Sequence, residues 1–198
     1  MSASEAAKLD ITQQTREFLN QTVRDLHMSG YPGPSVFASK PTLDNPSVAA
    51  GLVSVSPTQV IMEGDVNGEG QVYSVAFSYV AADPNDPNCP CMRRGAIPKS
   101  AGFPWAQPTA ASYTQAEHLV PPGTGAGQSG QDIFQFLDRS GNPVDLSTGN
   151  DISTPQGALN VASIATIKIN LMLATSQRDP ASGQPITVAL SALARPRQ

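Results

Sequence analysis

The chain opens on a helical pattern. Between Glu5 and Met28, the residues Ile11, Thr15, Phe18, Thr22 and Leu26 recur at intervals of three and four, which stacks side chains on one helix face. Leu19 and Val23 widen that stripe, while Gln13, Gln14, Glu17, Asn20 and Arg24 fall on the opposite, wet side. Ser29-Gly30-Tyr31-Pro32-Gly33-Pro34 predicts the end of the helix, because glycine accepts the left-handed cap and proline cannot continue the hydrogen-bond ladder.

Beyond a proline-containing loop the period changes to two. Thr58–Val66 and Gln71–Ala81 read as strands joined by Asn67-Gly68-Glu69-Gly70, a hairpin signal because Asn and Gly tolerate positive φ. In the second of these, Tyr73, Val75, Phe77 and Tyr79 alternate with smaller residues and form the expected core face. Residues 83–130 are rich in Pro, Gly, Asn and Ala and read as an excursion with a short strand near Ala116–Val120 and a mobile tip at Gly123–Gly130. Strands return at Asp132–Asp138, at Ala162–Thr175 and at Ile186–Leu193, the last two separated by the turn Asp179–Gly183. In Ala162–Thr175 the set Ala165, Ile167, Ile169, Leu171 and Leu173 is the buried face of a sheet that is wet on its other side. One helix segregated before a run of antiparallel strands predicts a single α+β domain over 1–198: a roll with the helix, over 1–30, packed on the sheet region of 50–198.

Composition fits a loop-rich β protein. Charged residues are 14% of the chain, with Gly 16 and Pro 18, and the net charge of −4 provides no basic footprint for nucleic acid or anionic lipid. The longest apolar stretch, Val161–Ala174, is interrupted by Ser163, Thr166, Lys168 and Asn170 and is shorter than the ~20 residues a bilayer helix needs. The cysteines, Cys89 and Cys91, flank Pro90; a structural or redox-inert pair is preferred to a metal site, because two thiolates do not complete a zinc shell, and a disulfide across one residue is a candidate that carries strain.

Three segments together resemble type IV minor pilins and type II secretion pseudopilins. Phe18–Pro34 (FLNQTVRDLHMSGYPGP) resembles the end of their long first helix and the turn that follows it. VIMEGDVNGEGQVYSVAFSY resembles one of their hairpins, and IATIKINLMLAT followed by DPASGQ resembles their closing hairpin. The resemblance implies a pilin-like roll and a structural role in filament assembly, with other pilin-like subunits as partners. It also implies an apolar half-helix preceding Met1, which would anchor the subunit in the inner membrane with a periplasmic head, or pack in a cell-surface filament. Exposed Gln13, Glu17, Asn20 and Arg24 are the expected interface positions, and Trp105, flanked by Pro104 and Pro108, is the aromatic best placed for surface recognition. The alternative is a secreted, β-rich adhesin-like or carbohydrate-binding module using Trp105 and the Gly-rich loop.

Chemistry is sparse. Asp65, Asn67 and Glu69 have the alternating spacing of oxygen ligands in a calcium loop, but Ala76 stands where the bidentate Glu is required, so a hairpin tip is the preferred reading. The nucleophile elbow, P-loop, H-E-x-x-H and dinucleotide fingerprints are all missing, and neither His27 nor His118 has a nucleophile beside it in sequence. The expectation is a non-enzyme with neither nucleic acid nor a small-molecule substrate as partner.

Overall fold

The computed structural model describes residues 3–108, 112–122, 132–178 and 183–197, with side chains throughout except at 3–8, 11, 176 and 177. The expected mobile tip at Gly123–Gly130, most of the Asp179–Gly183 turn and the Ile11 side chain lie outside the described residues.

Eight antiparallel strands in two sheets carry the fold. The larger sheet is a meander of β1 (Gly51–Ser56), β2 (Gln59–Gly64), β3 (Tyr73–Val80), β4 (Cys91–Pro98) and β5 (Ser112–Ala116), with sheet order equal to chain order. The smaller contains β6 (Phe134–Leu137), β7 (Thr166–Arg178) and β8 (Pro185–Ala194). Two α-helices accompany them, α1 (Ala3–Met28) and α2 (Pro155–Ser163). Among the described residues no helix is long and apolar enough to cross a membrane.

This corrects the expected α+β roll with its helix laid on one sheet: the protein is mostly β, built on two sheets, with two α-helices among the described residues. The helix-on-one-sheet picture failed because strands were missed where the alternation is broken. β1 is a short run, and β4 lies inside the supposed excursion of 83–130, where Pro90, Arg93, Arg94 and Gly95 read as loop residues. Pairing on both sides, with β3 and β5, makes β4 an interior strand despite that composition. α2 occupies the start of the predicted strand at Ala162. Thr154 caps it by accepting from the Gly157 N–H at 3.1 Å, and Pro155 fills the first turn, where its missing N–H costs nothing. Ile164, expected on the wet face, ends that helix at 1% exposure.

The core lies between the sheets and α1. Phe18, Leu19 and Leu26 of α1 meet Val60, Met62, Val75 and Phe77 of the larger sheet and Ile167, Ile169, Leu171 and Leu173 of the smaller in one cluster. The Phe18 and Phe77 rings pack edge to face with centroids 6.4 Å apart. The segment that follows β5 is tied to β7 of the smaller sheet, where Val120 N–H donates to Met172 O at 2.8 Å and Ala174 N–H to His118 O at 2.9 Å.

The exit of α1 is clamped to β2. Gly30 N–H donates to Glu63 O at 2.9 Å and Asp65 N–H to Tyr31 O at 2.8 Å, and Ser29 bridges Gly64. The approach is so close that a Cβ on Gly64 would stand 2.3 Å from Met28 O, so glycine is required there. Beneath the clamp lies a buried ion pair, Lys99 Nζ to Glu63 Oε2 at 2.7 Å, with both side chains 0% exposed. Lys99 also donates to Leu43 O at 2.6 Å and Val48 O at 2.8 Å, holding the proline-containing loop against the sheet. Glu63 takes a further bond from Ala50 N–H at 3.0 Å; burial raises its pKa above the ordinary value, opposed by Lys99 and by that N–H.

Candidate assembly surface

One stripe of α1 is buried and the other is free. Thr15, Phe18, Leu19, Thr22, Asp25 and Leu26 are buried, and the Thr22 hydroxyl is satisfied by donating to Phe18 O at 2.9 Å. Gln13, Glu17, Asn20 and Arg24 are all exposed, with Gln13 Nε2 donating to Glu17 Oε1 at 3.2 Å along the helix.

Where this face meets β4 and β5 there is an open polar cleft of about 470 Å³. Glu17, Gln21 and Arg24 line it from the helix, Val66 and Asn67 from the β2–β3 hairpin, and Arg94 and Gln115 from the strands. Two predicted interface residues and one residue of the supposed calcium loop therefore share one site. The cleft rests on Asp25, whose side chain is 0% exposed and accepts from Arg94 Nε at 2.7 Å and from Gln21 Nε2 at 2.7 Å. Gln21 Oε1 accepts in turn from Arg24. Burial raises the pKa of Asp25, while the Arg94 charge and hydrogen bonds from Arg94 and Gln21 pull it back. The relay fixes two guanidinium groups at the mouth with the Glu17 carboxylate beside them, a rigid pattern of both signs suited to reading a charged partner surface.

The other expected sites lie elsewhere. Asp65 is 4% exposed, and its carboxylate accepts the backbone N–H groups of Glu69 at 3.1 Å and Gly70 at 2.8 Å. Its oxygens thus shape the hairpin tip, with Gly68 and Gly70 at positive φ, while Asn67 and Glu69 are exposed. Cys89 and Cys91 form a disulfide with Cα atoms 4.3 Å apart. Beside it, Arg93 binds Asp83 Oδ2 at 2.6 Å and Asp86 Oδ2 at 3.3 Å. Thr114 donates to Asp86 Oδ2 at 2.6 Å. The pKa of Asp83 is lowered by the Asn85 N–H and Arg93, and that of Asp86 by Thr114, the Asn88 N–H and Arg93. Trp105 lies in a short 3-10 turn, Pro104–Ala106, away from the α1 surface.

No family model, curated protein or solved structure matches the chain. The likeness to minor pilins and pseudopilins rests on the quoted segments alone.

Sequence reasoning missed Asp25, Arg94, Glu63 and Lys99 as partners. Asp25 stood in view within the Arg24-Asp25-Leu26 run, and its period places it on the buried stripe with Thr22 and Ser29. A carboxylate on a buried stripe demands a cation, and that was the available signal.

Proposed function

We infer that this protein is a structural subunit of a filament, of the minor pilin or type II secretion pseudopilin kind, acting through contacts with other subunits rather than through catalysis. The observation that carries this reading is the two-sided α1: its inner stripe is consumed by the head's own core, while Gln13, Glu17, Asn20 and Arg24 stay exposed beside a cleft pre-set by Asp25 and Arg94. A helix face left open next to fixed charges of both signs suits a neighbour whose register must be read. The native location that goes with this role is an inner-membrane anchor with a periplasmic head, or a cell-surface filament.

The test is a charge-reversed variant, Glu17→Arg with Arg24→Glu, in the native protein within its own host. Both positions are exposed, so thermal stability stays within ~0.5 kcal/mol of the parent. Incorporation into filaments, measured by immunoblotting of sheared surface fractions and by photocrosslinking from position 20, drops several-fold. Normal incorporation with an unchanged crosslinking pattern would refute the reading.

A further inference from the structure

The face of the larger sheet turned away from α1 has a construction of its own. Phe77 points to the core, so its neighbours Ala76 and Ser78 point outward. Register then aligns small residues across the outer face. Ile61 pairs with Ala76, Ala76 with Gly95 and Gly95 with Ser112; in the next row Gln59 pairs with Ser78. Small side chains on β3, β4 and the edge strand β5, beside Gln59 and Ile61 of β2, leave a trough, and its walls stand on separate loops: Trp105 with Gln107 on one, Asp151 with Ser153 on another. The enclosed volume, about 490 Å³, falls within the ~300–1,000 Å³ typical of small-ligand sites.

We propose that this groove is a binding site for a neutral oligosaccharide. This reading stands independently of the filament role. Three observations point to the ligand class. First, the floor is paved with hydroxyl groups. Ser74 is 5% exposed, lines the groove and makes no side-chain hydrogen bond among the described residues; Ser78 accepts from Gln59 Nε2 at 2.9 Å and retains its own donor. Second, Trp105 at the rim is 45% exposed and held flat by stacking on Phe103, with centroids 4.7 Å apart and planes 4° apart. A fixed indole offers the apolar face on which C–H groups of a sugar ring pack, beside the hydroxyls that its O–H groups require. Third, Asp151 is the one charged side chain among the described lining residues, so the groove carries no cation for a phosphate, sulfate or nucleic acid.

The backbone argues against an extended peptide. β2, β3 and β4 have neighbours on both sides, leaving the floor no free strand edge. The outer edge of β1 is already taken: Val55 N–H donates to Asn150 O at 2.9 Å and Ile152 N–H to Val53 O at 3.0 Å. Recognition by strand addition has no place to form on these four strands; β5, which ends the sheet and lends Ser112 to the groove, is the remaining edge, and peptide binding on the array would report its use.

The chain contains one tryptophan, so its fluorescence reports on the groove directly. The whole chain is screened on an array of neutral, sialylated and sulfated glycans together with proline-rich peptides. The strongest neutral glycan is then titrated against tryptophan emission and followed by saturation-transfer NMR on the sugar protons. A saturable emission change is expected, with at least ten-fold weaker binding in Ala76→Leu, which fills the trough and keeps the fluorophore. Saturation transfer is lost in Trp105→Ala, and circular dichroism melting confirms that both variants fold. Binding to peptides or anionic glycans alone, no binding on the array, or affinity unchanged in both variants would each overturn the proposal.

Discussion

Replacing Lys99 by Met tests the energetics of the buried ion pair. Lys99 Nζ spends its three donors on Leu43 O, Val48 O and Glu63 Oε2 at 2.6 to 2.8 Å, with the side chains of the pair 0% exposed. Methionine fills a similar volume but leaves two carbonyls without the Lys99 donor and the Glu63 carboxylate without its cation. Breaking one partner of a buried pair costs ~3–5 kcal/mol, because the surviving charge stays desolvated. We take about 4 kcal/mol, since the Ala50 N–H still serves Glu63. For a chain of this length each kcal/mol moves Tm by ~2–4 °C, so a fall of about 10 °C is expected. The pH dependence has a definite sign. Burial already raises the pKa of Glu63 above its ordinary 4.5, and removing Lys99 raises it further. Above the unfolded-state value the native form then binds more protons than the unfolded form, so stability falls as pH rises through that window. The deficit of Lys99→Met relative to the parent is therefore largest near neutrality and shrinks towards pH ~5. Urea unfolding from pH 5 to 8 measures both effects, and the double variant Glu63→Gln/Lys99→Met should recover most of the loss. A cost below ~1 kcal/mol for the single variant, a pH-independent deficit, or a double variant as unstable as the sum of the singles would refute this account.

Arg94→Ala strips the cation from Asp25 and should cost ~2–3 kcal/mol, below the range for a fully buried pair because Arg94 keeps 19% side-chain exposure. That cost diminishes as acid protonates Asp25, whose raised pKa lets the folded state take up the proton first, so melting at two pH values checks it. Gly64→Ala forces a Cβ against Met28 O and should lower the urea midpoint by the equivalent of ~2–3 kcal/mol with an unchanged slope. Gly68→Ala has open space around it but a φ of +72°, and should cost only ~1–2 kcal/mol.

What the sequence made legible was local and periodic. The α1 stripe, the large-residue face of β3 and the Ile167–Leu173 face of β7 follow from spacing alone; Thr15, Phe18, Leu19, Thr22, Leu26, Val75, Phe77 and the β7 set are buried, with Val23, Tyr73 and Tyr79 half-buried against them. Pairing over distance could not be read in that way. Arg94 breaks the apolar alternation of β4 on its inner face, and the carboxylate that accommodates it comes from Asp25, on a helix far earlier in the chain. Lys99 looks like a loop residue until Glu63 is brought beneath it. The groove was half visible. Ser74, Ala76 and Ser78 are the small partners of the large set in β3, and only the large set was followed towards a core. Their smallness becomes a trough only when Gly95 and Ser112 arrive in register.

The clamp at the exit of α1 has a geometric consequence. Backbone bonds from Gly30 and Asp65, closed over Gly64 without room for a side chain, leave the helix no swivel against the sheet. The bearing of the Trp105 groove about the helix axis is thereby a constant of the molecule. In any array that aligns α1 from copy to copy, every groove would open at the same azimuth, so copies would present their ligand sites with the regularity of the lattice itself.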